Sequence, residues 1–472
     1  MLSTPDELSS SAGEATSRIP ALHLFNRYNN QRYPYLLSSS ALLKNNTQYD
    51  ILIACPQYLL TLHSDKSLSC SDDTIELASN FLDSLELLYQ QNKTESTSLT
   101  VSESGDIPYT GGWFVYLSYE MAEEVETCLS LPSLPKNQPM AVAARCPAAI
   151  IYDRKNNQCI AVAETDYAYL LDELEHDYRT VSCDNSNVLS DALIAEKIVL
   201  RTLVEADEKP YLQQVKKIKQ YIIEGDIFQA NLSRLWQASL KQDIDDAALF
   251  FTLAKHNPSS FAALACMPEM TIISSSPERL VSLKEGIVET RPIAGTRPRG
   301  SDQTNDDALA RELLSHPKEQ AEHIMLIDLE RNDLGRVCTP GSIEVNELMV
   351  LESWQHVHHI VSNVRGELKP GVSPIDVLRA VFPGGTITGC PKVHCIEILA
   401  EMEQQARGAY TGSLGYINND GSMDFNILIR TIVREGDKLT FRAGGGIVSD
   451  SIAEKELEET RAKAKGLLKI FQ

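Results

Sequence analysis

The sequence predicts an α+β protein built mainly from antiparallel sheets. Two observations carry this. Short apolar runs of strand length, separated by turn-rich stretches, fill the first 185 or so residues. From about residue 208, strand-like and helix-like stretches come in blocks, without the strict alternation of a doubly wound parallel fold. The reading divides the chain into an N-terminal region 1–185, a polar then Ala-rich link near 183–200, and a C-terminal region 208–472.

Taken in order, Tyr49-Asp50-Ile51-Leu52-Ile53-Ala54, Trp113-Phe114-Val115-Tyr116-Leu117 and Ala148-Ala149-Ile150-Ile151-Tyr152 each have the length of a buried strand. Gly111-Gly112 and the Pro-rich 131–139 stretch punctuate them. Tyr211, Val215, Ile218 and Ile222 recur at helical spacing until Gly225 stops the helix. Ile227 to Leu232 then reads as a strand. Further strands are expected at 261–265, 271–275, 412–417, 425–433 and 439–448, with helices near 317–331, 391–403 and 453–471.

At 472 residues the chain suits one large composite domain or two domains. Its 43% hydrophobic and 23% charged residues are near soluble globular averages. No apolar run approaches the roughly 20 residues that cross a bilayer. The first residues are polar and lack a signal-peptide layout, so a cytoplasmic protein without a membrane partner is expected. A formal charge of −22 without Lys/Arg runs argues against nucleic acid. A small anionic substrate would need local cations, from side chains or a metal. The ten cysteines form no C-x-x-C and no zinc-finger spacing, as expected of reduced, mostly buried thiols.

Candidate chemistry concentrates in the C-terminal region, in Ser274–Arg279, Arg291–Thr296, Phe382–Lys392 and Ala443–Val448. Glycine lets backbone approach a ligand and present bare N–H groups. Gly444-Gly445-Gly446 after a strand and Gly384-Gly385-Thr386 before a helix can each cradle a carboxylate, the second aided by a helix N-terminus; each is equally compatible with a plain tight turn. Neither has the spacing of a phosphate or dinucleotide loop. Glu319-Gln320-Ala321-Glu322-His323 and Glu458-Glu459-Thr460-Arg461-Ala462-Lys463 are acidic helical stretches suited to a hard cation such as Mg2+. By spacing alone Glu459 and Lys463 are also an ordinary i,i+4 surface pair. Glu278, between Ser-Pro and Arg279, is either a general acid with a burial-raised pKa or an ion-paired structural residue. In the His356, His358, His359 cluster, strand alternation puts His356 and His358 on one face; a metal-binding pair and a lone site-facing His359 are both open.

Together these stretches resemble the chorismate-utilising family: anthranilate synthase component I, aminodeoxychorismate synthase component I, isochorismate synthase and salicylate synthase. SPERL, RPIAGTRPRG, AEHIMLIDLERNDLGRV, VHHIVSNVRG, FPGGTITGCPK, GAYTGSLGY, ILIRT, AGGGIV and EETRAKA occur in family order from about 208 to 472. The resemblance implies the anthranilate synthase component I-like fold, two largely antiparallel sheets packed in a sandwich with helices outside. It also implies Mg2+ held by Glu322 and Glu459, and chorismate contacts from Gly295, Thr296, Thr386, Tyr410, Arg430, Gly445, Gly446 and Lys463. By the same resemblance Arg430 and Tyr410 hold the enolpyruvyl carboxylate, and Gly446, Lys463 and the metal hold the ring carboxylate. Glu278 matches the acid that protonates the departing C4 hydroxyl. His359 matches a histidine implicated in pyruvate elimination.

Two positions separate the branches. Isochorismate and salicylate synthases resemble one another in carrying a water-activating Lys where this chain has Gln229, so a neutral amide here implies amination. Aminobenzoate enzymes carry a nucleophilic Lys where this chain has Ala294, which is similar to anthranilate synthases. The N-terminal region lacks the LLES element of the tryptophan feedback site. It is instead similar to the aminobenzoate branch in Tyr33–Ser40, Tyr49–Pro56 and Gly111–Glu120. The reading implied is amination of chorismate to 4-amino-4-deoxychorismate, in para-aminobenzoate and folate biosynthesis, with anthranilate synthesis as the alternative. A non-catalytic chorismate-binding regulator is a third reading, disfavoured by the full set of Glu278, Glu322, Glu459 and Arg430. No Gly-x-Cys-x-Gly nucleophile turn occurs, so ammonia is expected from a separate glutamine amidotransferase subunit, in a heterodimer, or from solution.

Overall fold

The structure, a computed structural model, describes residues 22–39, 49–93, 107–184, 198–300, 302–353 and 357–471. Its described residues form two eleven-stranded sheets, paired antiparallel throughout. Both sheets draw strands from before and after residue 200. In the first sheet Tyr35–Ser38, Tyr49–Ala54 and Ala148–Asp153 continue directly from Phe261–Cys266. In the second, Gly112–Leu117 pairs with Ser413–Asn418. No helix among the described residues is long and apolar enough to cross a membrane.

The sheets face each other across a shared core. Strand alternation sends Leu52, Ile150 and Leu264 of the first sheet outward and Ile51, Ile53, Ala149, Ile151 and Ala263 inward, against Phe114, Tyr116, Val142 and Leu414 of the second. Tyr35 stacks on Phe114 across the gap, ring centroids 3.8 Å apart. Helices cover the outer faces, which is why so many strands read as continuous apolar runs: both faces are buried.

Most expected elements appear close to their expected places. The helix Glu208–Glu224 ends at Gly225, which takes φ +87° as a left-handed cap. The strand expected at 227–232 is Gln229–Leu240, and the helices are Pro317–Val337, Lys392–Glu403 and Ala453–Leu468. One expectation fails. The stretch 425–433 is two strands, Met423–Asn426 in the second sheet and Thr431–Glu435 in the first. The intervening Ile427–Arg430 crosses between sheets. A second crossing runs beside it, between Thr271–Ser276 of the first sheet and Arg279–Lys284 of the second, tied to the first by the Ile427 N–H donating to Glu278 O at 3.0 Å.

A buried ionic network fixes this end of the sandwich. Glu403 accepts from Arg407 at 2.8 and 2.9 Å, from Arg442 at 3.1 Å, and from the Ser233 N–H and hydroxyl at 2.9 and 2.8 Å. Arg407 also donates to Asn231 O at 2.6 Å and Ile387 O at 3.4 Å. Burial alone would raise the Glu403 pKa, but Arg407 and Arg442 hold it below the ordinary value. Glu403→Ala should therefore destabilise the protein by about 3–5 kcal/mol, because it strands two buried guanidinium groups. Thermal or denaturant unfolding reads this, and a loss below about 1 kcal/mol would contradict it.

Candidate active site

The network braces the wall of a cleft of about 1510 Å3 at this end of the molecule. Strands Gln229–Leu240, Ile293–Pro298 and Lys438–Ile447, helices Pro317–Val337 and Ala453–Leu468, the turn Gly385–Ile387 and both crossings contribute to it. Gln229, Glu278, Gly295, Thr296, Glu322, His359, Thr386, Tyr410, Arg430, Gly446, Glu459 and Lys463 all line it. Ala294 is there too, 7% exposed.

Gly445 sits apart from these residues, against the last helix. Alternation turns it away from Gly444 and Gly446, and a Cβ there would lie 3.4 Å from Glu459 Oε1 and 3.7 Å from Glu456 Oε2. A methyl group there would meet these carboxylates of the last helix at ordinary contact distance. Two corrections concern the cradles. Gly444–Gly446 lie within a strand, not after it. Gly384-Gly385-Thr386 leads into a three-residue 3-10 turn, separated from the helix that begins at Lys392, so no helix N-terminus assists it.

Glu278 occupies the second crossing at 5% exposure. Arg279 is not its partner, since Arg279 binds Asp424 at 2.8 and 2.9 Å. The structural ion pair left open by the sequence is thus absent. Burial pushes the Glu278 carboxyl up to about 7, against weaker opposing pulls from Thr386, the Ile293 backbone, Arg430 and Lys463. Its Oε1 and the Thr386 hydroxyl are both buried, and Thr386 is near enough to pull on the carboxyl without forming a well-aligned hydrogen bond. Protonated, this carboxyl is a donor facing the cleft.

Arg430 occupies the first crossing with φ +51°. That left-handed backbone is unusual for arginine, and it marks a position held by its surroundings. Burial lowers its pKa, opposed by the charge of Glu278. No ion pair engages its guanidinium among the described residues. A forked cation without a carboxylate of its own is a ready anion site. Tyr410 lies close to Gly444, where a Cβ would come 2.8 Å from its hydroxyl, and burial raises that phenol to about 12, so it remains a donor.

His359 is 4% exposed, and burial lowers its pKa to about 4, so its imidazole is neutral. Its Nδ1 lies 2.9 Å from the Thr296 hydroxyl. His358 points elsewhere, to Asp306 at 2.9 Å and Ser353 at 2.8 Å. His356 lies outside the described residues.

The acidic helices face each other across the cleft. Glu322 Oε1 accepts from Gln229 Nε2 at 3.1 Å, and Glu459 pairs with Lys463 at 2.9 Å, while Lys463 also donates to Gly444 O at 2.9 Å. Glu319, 3.2 Å from Arg297, and Glu456 line the same cleft one turn earlier on each helix. The sequence reading assigned no role to these two, or to Asn231 and Arg442. An i−3 search from Glu322 and Glu459 and an i+2 search from Gln229 would have found three of them.

The chain matches the family model described as chorismate binding enzyme over residues 38–469. It is 41% identical over 371 residues to an anthranilate synthase component I-like protein of Synechocystis sp., across 79% of this chain and 75% of that protein. It is 33% identical over 456 residues to aminodeoxychorismate synthase component 1 of Salmonella typhimurium, across 95% of each chain. The crystal structure of anthranilate synthase component I from Streptococcus pneumoniae superposes with a TM-score of 0.77 at 27% identity, covering 97% of this chain and 100% of that one. This chain is a chorismate-utilising enzyme and belongs to the family of chorismate binding enzymes.

Proposed function

We propose that the cleft aminates chorismate with ammonia in a Mg2+-dependent reaction, giving 4-amino-4-deoxychorismate. The observation that carries this is the pairing of a buried acid raised to about 7, Glu278, with an arginine that has no ion pair among the described residues, Arg430, on adjacent crossings of one cleft. Arg430 and Tyr410 take the enolpyruvyl carboxylate. Lys463 and Gly446 take the ring carboxylate, and Glu278 gives its proton to the C4 hydroxyl as it leaves as water. Gln229 cannot serve as a base for water, which favours amination over hydration.

The residues present fit Mg2+. Four glutamates, 319, 322, 456 and 459, line the cleft, where Arg297 and Lys463 pair with two of them. These are hard oxygen donors, although no group of three or more His, Cys, Asp or Glu among the described residues is placed to hold a metal ion, so at most two carboxylates would bind it. Mg2+ is usually bound in this manner, through one or two carboxylates with waters and ligand oxygens. Glu322 and Glu459 would hold it, and bound there it would neutralise the substrate carboxylate. Glu459→Ala should raise the Mg2+ concentration for half-maximal activity by about tenfold or more; an unaltered Mg2+ titration removes Glu459 from the site.

Support for the 4-amino product comes from the Salmonella relative, alike over 95% of both chains, and from the N-terminal resemblance to that branch. Ammonia would come from a glutamine amidotransferase subunit or from solution. Anthranilate synthesis is the second reading, favoured by Ala294, which leaves no nucleophilic lysine at that point of the cleft. The direct test is chorismate consumption by the purified chain with ammonium and Mg2+. Consumption that depends on both supports the proposal; binding without consumption would leave a regulatory chorismate binder.

A further inference from the structure

Every described residue that lines the cleft is Gln229 or later in the chain. One side chain of the N-terminal region nevertheless grips the turn that carries Tyr410. Glu120 sits in the 3-10 turn Tyr119–Met121, just after strand Gly112–Leu117, and is 3% exposed. Its Oε1 accepts the Arg407 N–H at 2.7 Å, and its Oε2 accepts the Gly408 N–H at 3.1 Å. The neighbouring Tyr119 N–H donates to Gly408 O at 2.9 Å. The Tyr119 ring packs on the Arg407 guanidinium, with 4.6 Å between its centroid and Cζ.

These bonds lead directly to Tyr410 and Arg430. Arg407, whose N–H binds Glu120, accepts the Tyr410 N–H on its own carbonyl at 3.2 Å. One residue on, the Thr411 N–H donates to Leu428 O and the Leu428 N–H to Gly412 O, both at 2.8 Å. The turn is thereby laced to the crossing Ile427–Arg430. Gly408 and Thr411 take left-handed backbone, with φ +62° and +63°. A β-branched residue keeps that conformation only where its surroundings enforce it. A carboxylate that satisfies two successive N–H groups is such a constraint.

We propose that Glu120 is a positioning residue for substrate binding, anchoring the turn that presents Tyr410 and braces the crossing of Arg430. This rests on the assignment of the enolpyruvyl carboxylate to Tyr410 and Arg430. The N-terminal region then shapes the carboxylate site from behind, through backbone alone. Burial pushes the Glu120 carboxyl up to about 7, against the pull of both N–H groups and of the Arg442 charge. Tyr116 and Tyr119, which also face it, have phenols raised by burial and stay neutral. At pH 8 the clasp is therefore a carboxylate.

The test is chorismate binding by the full chain at pH 8 with Mg2+ and without ammonium, read by fluorescence titration in a double-mutant cycle. Glu120→Gln fills the same space, but only one of its ends accepts, so its NH2 is set against one of the two N–H groups. Alone it should weaken chorismate binding about tenfold, the effect of a lost hydrogen bond to a charged group. Turnover at saturating chorismate should stay within about threefold, because Glu278 is untouched. On top of Arg430→Gln, which removes one of the groups being positioned, Glu120→Gln should weaken binding by less than about threefold. Unchanged affinity in Glu120→Gln, or the same factor in both backgrounds, would overturn the inference and leave Glu120 a support of the fold. Wild-type affinity in Arg430→Gln alone would instead remove the carboxylate assignment, and this inference with it. If Glu120→Gln does not fold, Glu120→Asp, which draws both oxygens back by one methylene, faces the same criterion.

Discussion

Glu278→Gln should lower turnover by about 10²- to 10⁴-fold, the range for a lost general acid, while chorismate binding stays within a few-fold. The amide fills the same buried space and can still donate a hydrogen bond to the C4 oxygen, but it cannot transfer a proton to it. Turnover and binding therefore separate, and rapid-quench kinetics beside a binding titration reads both. Equal losses in each would instead make Glu278 a binding residue. In the wild type, burial raises the carboxyl to about 7, so activity that needs its protonated form should decline as pH rises through that value. A dianionic substrate beside it moves the decline further to the alkaline side.

The same shift has a stability consequence that runs in the same direction with pH. A carboxyl whose folded pKa lies above its unfolded value of 4.5 contributes stability that is fully present below the unfolded pKa and is lost as pH rises through about 7. At pH 8 the ionised, buried Glu278 thus costs up to roughly 3 kcal/mol, and Glu278→Gln removes that cost. The inactive variant should melt higher than the wild type at pH 8 and about equally at pH 4. This is the usual relation between a functional site and the stability given up to hold it.

Arg430→Gln should weaken chorismate binding by about 100-fold, the scale of a lost charge-assisted, bidentate pair in a desolvated site. Geometry contributes to this site as well as charge. Arg430 has no carboxylate partner among the described residues, and its φ of +51° shows that the crossing dictates where it points. Because its charge holds Glu278 below where burial alone would put it, the variant should also shift the alkaline limb of the pH profile upward. Calorimetric titration and a pH series check the two effects. Wild-type affinity in Arg430→Gln would remove it from the carboxylate site.

Much of this was legible in the sequence, and the failures have identifiable causes. Apolar runs record burial, not which sheet buries them. The run 425–433 therefore read as one strand, although Ile427–Arg430 leaves one sheet for the other. That crossing makes the bend that places Arg430 in the cleft wall, and its neighbour places Glu278 there. The motifs picked out residues that line one cleft, but periodicity could not supply the bend. Alternation along Lys438–Ile447 separates Gly445 from Gly444 and Gly446, a distinction that a run of three glycines does not carry by itself. Glu319 and Glu456 escaped because an acidic helix face looks like a solvated one until a second helix is seen opposite it. Ala294 and the N-terminal region point to different branches, and the fold common to both products does not choose between them.

The most direct measurement is identification of the product that the purified chain forms from chorismate, ammonium and Mg2+, by chromatography with mass detection. The account predicts a non-aromatic, aminated product that added aminodeoxychorismate lyase converts to para-aminobenzoate. Anthranilate with released pyruvate would contradict it and make Ala294 the better guide to the reaction.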